Sequence, residues 1–193
     1  MREDRDSFAR LWWIPVGAGG RVVIHTSRGW EAWAAHRERR PPRPLFHAAL
    51  EVFDDGERFA IEMTPVLGGP RGDRGVVATG PVGARVLGVT PLFRYEVRCW
   101  RDGVIPDLGF AVGPAVDLPL THDRAAAMLR RLRDVPRYTW GRDVLGTGDM
   151  WNSNSLVSWL LSGAGCDAAE LLPPPGGHAP GWSCGMAASR AGG

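Results

Sequence analysis

Residues 150–161, MWNSNSLVSWLL, place four small polar side chains, Asn152, Ser153, Asn154 and Ser155, directly before an apolar run with helical spacing. An Asn or Ser oxygen at that point accepts the unpaired N–H groups of a helix's first turn, so capping is the simplest chemistry for the run. One residue is enough for a cap. The others leave room for a second task, and a hydroxyl at a helix N-terminus is a common position for a nucleophile. Trp151 flanks the run, and with Asn152 and Asn154 it forms a candidate substrate-contacting set. A glycan acceptor is excluded, because neither Asn152-Ser153-Asn154 nor Asn154-Ser155-Leu156 has Ser or Thr in third place.

A second serine lies in Gly181-Trp182-Ser183-Cys184-Gly185, which matches the GxSxG pattern of a nucleophile elbow. That elbow needs a preceding strand and an acid and a histidine later in the chain, yet only eight residues follow Gly185 and none is acidic or His. The match is read as chance. The histidines His25, His36, His47, His122 and His178 include no HExxH or other paired ligand spacing, so no metal site is expected. His47 stands out because it opens an otherwise apolar strand pattern, FHAALEV, just after a proline-rich linker. Alone, it reads as a core or strand-edge histidine.

Composition narrows the classes further. The basic side chains are all arginine, which removes the P-loop lysine, the Schiff base and every lysine-dependent hydrolase scheme. A formal charge of +2 gives no reason to expect a nucleic-acid partner, and RERRPPRP at 37–44 is explained by a solvated helix end and a stiff linker. Cys99, Cys166 and Cys184 lack CxxC spacing and fit reduced thiols. The opening MREDRDSFAR has no apolar signal core and no apolar stretch is long enough to span a bilayer, so a cytoplasmic protein without a transmembrane segment is expected. No cofactor is implied.

The elements that must hold these residues fit a single domain over 1–193, with irregular extensions at 1–20 and 166–193. Residues 11–25 suggest an apolar lead-in and a short strand divided by a Gly turn. A helix follows over 27–40, with Trp30, Trp33 and Ala34 at helical offsets, ended by Pro41 and Pro42. LFHAALEVF and RFAIEMTPV, joined by Asp-Asp-Gly-Glu, form a hairpin over 46–66. GVVATG is a further strand, and PLFRYEVRCW alternates Phe93, Tyr95, Val97 and Cys99 with Arg94, Glu96 and Arg98, a half-buried strand. THDRAAAMLRRLRDVP predicts a helix capped at Thr121 or Asp123 with Ala127, Met128, Leu132 and Val135 inward, and a second helix begins at Ser153. PPPGGHAPGW reads as an extended tail over the surface. Together these predict an α+β domain, an antiparallel sheet packed against helices.

The order of His47 on the first hairpin strand, Glu62 on the second, and Asn152-Ser153-Asn154-Ser155-Leu156-Val157 at a later helix start resembles the circularly permuted papain-like proteins. That group includes the lecithin:retinol acyltransferase-like and permuted NlpC/P60-type enzymes. The resemblance covers roughly residues 46–165; the chain also looks like a family from high-GC bacteria, which adds no function. It implies a permuted papain-like fold and a hydrolase or acyltransferase acting on an amide or ester, with Ser153 as nucleophile, His47 as base and Glu62 as orienter. The substrate would be a small molecule, peptide or lipid. Where the family has cysteine this chain has Ser153, whose hydroxyl is too weak an acid to ionise beside a helix N-terminus and so needs a true general base. Loss of the cysteine leaves a second reading, an inactive papain-like domain binding a peptide, lipid or protein through the same cleft, with Asn152 and Ser153 only capping the helix and Glu62 paired with an arginine.

Overall fold

The computed structural model describes residues 7–18, 31, 35–36, 39–66, 75–84, 88 and 93–192. His25, Trp30, Trp33, Ala34 and the Gly- and Arg-rich loop at 68–74 lie outside them. Six strands form one antiparallel sheet: β1 Ser7–Pro15, β2 Phe46–Asp54, β3 Glu57–Pro65, β4 Val76–Pro81, β5 Arg94–Arg101 and β6 Val116–Leu120, in the order β4-β5-β3-β2-β1-β6. Three helices lie wholly among the described residues, α1 His122–Arg131, α2 Ser153–Gly163 and α3 Trp182–Ala191. The architecture is α+β, as the sequence predicts.

Local chemistry accounts for the hairpin. Asp55 and Gly56 both take positive φ, 49° and 78°, the backbone of a two-residue turn whose twist matches that of the strands it joins. Thr121 caps α1 by accepting the Arg124 N–H, and Ala125, Met128 and Leu132 turn inward while Ala127 is exposed. Alternation then sorts the sheet into two faces. Leu11, Trp13, Phe46, Ala48, Leu50, Ile61, Tyr95 and Val97 pack with the helices in the main core. Ile14, Ala49 and Ala60 point the other way and are covered by Ile105 and Leu108 from the β5–β6 connection.

Both chain ends depart from the sequence expectation. Ser7–Pro15 is an interior strand between β2 and β6, not an irregular extension, because Trp12 and Trp13 bury toward opposite faces. Residues 182–191, inside the stretch expected to be an irregular extension, are a helix packed against α2. Gly185 makes that packing close: a Cβ there would lie 2.0 Å from the Ser155 carbonyl oxygen and 2.1 Å from the Ser158 hydroxyl. Among the described residues no helix is long and apolar enough to cross a membrane.

Candidate functional site

The NSNS run holds two parts of the chain together. Asn152 is the N-cap of α2: its side-chain oxygen accepts the N–H groups of Asn154 and Ser155, while the Ser155 hydroxyl accepts the Asn152 N–H at 3.0 Å in a capping box. Its amide nitrogen donates to the Pro180 carbonyl at 2.8 Å. Ser155 and Ser158 donate to the carbonyls of Gly181 and Trp182 at 2.7 and 2.8 Å. The polar side chains thus grip the backbone that leads into α3.

Asn154 does something different. β2 pairs with β3 only from Leu50 to Asp54, so the start of β2 has an open edge on that side. His178 covers its first part, accepting the Phe46 N–H and donating its own to the Pro44 carbonyl, both at 2.8 Å. Beyond it, the Asn154 amide takes the place of a neighbouring strand, accepting the Ala48 N–H at 2.7 Å and donating to the Phe46 carbonyl at 3.0 Å. Residue 47 lies between those two peptide groups. The amide also donates to Pro180, so both of its N–H bonds are used in the fold.

From Trp151 to Leu161 every residue is buried except Ser153, which is half-exposed. Trp151, Asn152 and Asn154, the candidate substrate contacts, are all inside, and the Trp151 ring meets Tyr138 edge-on with centroids 5.2 Å apart. Ser153 therefore carries the one side chain at this helix start that reaches solvent. The cap consumes the N–H groups of residues 154 and 155, leaving the Ser153 N–H as the first-turn donor not engaged by it.

His47 and Glu62 share a face of the sheet, with Ile14, Ala49 and Ala60, while the body of α2 packs on the other. The first turn of α2 reaches the backbone on either side of His47, through Asn154 at the open edge of β2. No hydrogen bond joins His47 to Ser153 among the described residues. Burial holds the His47 ring below the usual histidine value of 6.5, against an opposing pull from the Asp107 carboxylate, so it is a neutral imidazole at pH 7. Glu62 lies 4.0 Å from Arg98, a buried guanidinium that also binds Glu96 at 2.6 Å.

Two acids escape the sequence reading. Asp107 sits in a turn, where an aspartate is ordinary. Asp149 is buried and accepts the N–H groups of Gly181 at 2.6 Å and Ser183 at 3.2 Å, so it caps α3 from a distant part of the chain. Burial raises its pKa above the ordinary carboxylate value, and those N–H groups act against that. The GxSxG glycines are thereby explained by packing: Gly181 has φ 93° and would place a Cβ 2.1 Å from Asn152 Oδ1, and Ser183 is an exposed residue of the first turn of α3.

Elsewhere, a cavity of about 310 Å³ opens among Arg131, Asp134, Tyr138, Trp159 and Ala188. There Arg131 stacks over Trp159 at 4.3 Å and donates to Ser189 at 3.1 Å, contacts that tie α1 to α2 and α3. Among the described residues no cluster of His, Cys, Asp and Glu has the makings of a metal site. No protein-family profile, curated protein or solved structure matches this chain.

Proposed function

We propose that the chain is a papain-like hydrolase or acyltransferase that uses Ser153 as its nucleophile on an amide or ester. The observation that carries this reading is the placement of Ser153 as the half-exposed residue of an otherwise buried helix start, anchored through Asn154 to the peptide groups on either side of His47. In the proposed reaction the Ser153 Oγ attacks the carbonyl carbon while neutral His47 takes the hydroxyl proton. The resulting oxyanion faces the Ser153 N–H at the positive end of α2. His47 then returns the proton to the departing amine or alcohol, leaving an acyl-serine. Water or another hydroxyl or amine, deprotonated by His47, releases the acyl group and restores the serine. The reaction requires the His47 ring to come within hydrogen-bond reach of the Ser153 hydroxyl when substrate binds.

The pairing of Glu62 with Arg98 favours a second reading, a domain that binds a peptide, lipid or protein in the same place without turning it over. Ser153→Cys separates the two. The native thiols make a quiet background: burial pushes Cys99 and Cys184 up to about 11 and raises Cys166 as well. With a working site, the cysteine at 153 is alkylated by iodoacetamide at pH 7 at least ten times faster than Cys166, and His47→Ala removes the advantage. Equal rates at the two positions would leave binding as the function.

A further inference from the structure

We propose that the cavity lined by residues of α1, α2 and α3 is a binding site for a small zwitterion, an α-amino acid with an apolar or aromatic side chain. The site is separate from the serine chemistry. Trp159, in its wall, follows Ser153 on α2 and lies about 9 Å further along the helix axis. The cavity volume of about 310 Å³ is at the small end of the range for ligand sites, which suits a ligand of this size.

Two opposite charges line this cavity without pairing to each other. Arg131 ends α1 and Asp134 ends the 3-10 turn Leu132–Asp134 that continues it, a spacing at which opposite charges on a helix are neighbours. The guanidinium turns away instead. It stacks over the Trp159 ring at 4.3 Å, and its Nη2 donates to the Ser189 hydroxyl at 3.1 Å. Gly163 makes room for that pose, since a Cβ there would lie 2.0 Å from Arg131 Nη1. Among the described residues no carboxylate forms an ion pair with Arg131, and no donor bonds to the Asp134 side chain. The guanidinium is half-buried, and its remaining N–H groups are of the kind that take a carboxylate. Ala191, the last residue of α3, also lines the cavity and brings the negative end of that helix to it. A carboxylate on Arg131 and an ammonium beside Asp134 therefore meet both charges, while Tyr138, Trp159, Pro136 and Ala188 receive the ligand's side chain.

The test is an NMR titration of the full chain with L-phenylalanine and with L-leucine. N-acetyl-L-phenylalanine, which lacks the ammonium, and L-phenylalaninamide, which lacks the carboxylate, serve as comparators. The amino acids are expected to shift the Trp159 indole N–H and the amides flanking Arg131 and Ala188 saturably in the millimolar range. Each comparator should bind about tenfold more weakly than L-phenylalanine, because it leaves one charge of the cavity unmet. Arg131→Gln should abolish the shifts. Because Arg131 also ties the helices together, Asp134→Asn, at an exposed position, is the variant that spares the fold. It should weaken L-phenylalanine severalfold and leave N-acetyl-L-phenylalanine no weaker than before. The proposal is overturned if neither amino acid gives a saturable shift at the limit of its solubility, or if the comparators bind as well as L-phenylalanine. It is equally overturned if folded Arg131→Gln still binds, or if Asp134→Asn leaves every affinity unchanged.

Discussion

The Asn154 side chain accepts the backbone N–H of Ala48 at 2.7 Å, an amide standing in for a strand at the open edge of β2. Because both groups are buried, losing the amide leaves an N–H and a carbonyl without partners. Asn154→Ala is expected to cost about 2–4 kcal/mol in urea unfolding. Asn154→Asp should also destabilise, since a carboxylate cannot donate to Phe46 or Pro180. A loss under about 0.5 kcal/mol for both, the range of ordinary surface changes, would mean the edge closes without Asn154.

Gly181 and Asn152 are packed so closely that the glycine is required twice, once by its φ of 93° and once by the 2.1 Å approach of an added Cβ to Asn152 Oδ1. Gly181→Ala is expected to cost more than the roughly 1 kcal/mol of the backbone term alone, because Asn152 must leave its cap. Hydrogen exchange should then rise at the start of both α2 and α3. Exchange rising in α3 alone would show that the two ends are not coupled.

Asp149 offers the complementary test, since it caps α3 from outside the helix. Asp149→Ala removes the acceptor of the Gly181 and Ser183 N–H groups and is expected to destabilise by about 2–3 kcal/mol in the same unfolding assay. Asp149→Asn retains one oxygen and should lose less. Equal losses would show that the charge, and not the hydrogen-bond geometry, holds the helix.

Two histidines contribute to the loss of stability as pH falls. Burial depresses both His47 and His178 below 6.5, so as pH falls through 6.5 the unfolded chain takes up protons that the folded chain refuses, and stability drops. His122 works in the opposite sense: its bond to Asp54 raises its pKa, and its contribution is lost as pH rises through that raised value. The fall in melting temperature between about pH 7 and pH 5 should therefore be smaller in His47→Gln than in wild type. An identical fall in the two proteins would show that His47 is not buried as a neutral ring.

Much of the sheet is legible in the sequence because its signals are local. Asp55-Gly56 specifies its own turn, and the alternation around Tyr95 and Val97 specifies its own strand, though Arg98 is buried where a half-exposed side chain is expected. β6 is not legible, since Pro119 breaks the strand pattern; the proline is accommodated because β6 is an edge. α3 is hidden by its composition. Gly185 and its small neighbours give no apolar stripe, and the helix is held by close approach to Ser155 and Ser158 and by Asp149, all of which belong to another part of the chain. The helix start at Ser153 is plain from its residues, but that Asn154 binds the two peptide groups beside His47 depends on where β2 and β3 separate, which no local pattern encodes.

The most direct measurement of the central claim is fluorophosphonate labelling of the native protein, with the modified residue located by mass spectrometry. One adduct is expected, on Ser153, abolished by Ser153→Ala and by His47→Gln while both variants keep a cooperative melting transition. Ser153→Ala leaves the Asn152 cap in place, so loss of labelling there cannot come from an uncapped helix. A folded wild-type protein that takes no label at Ser153, or one whose labelling is indifferent to His47, would contradict the claim.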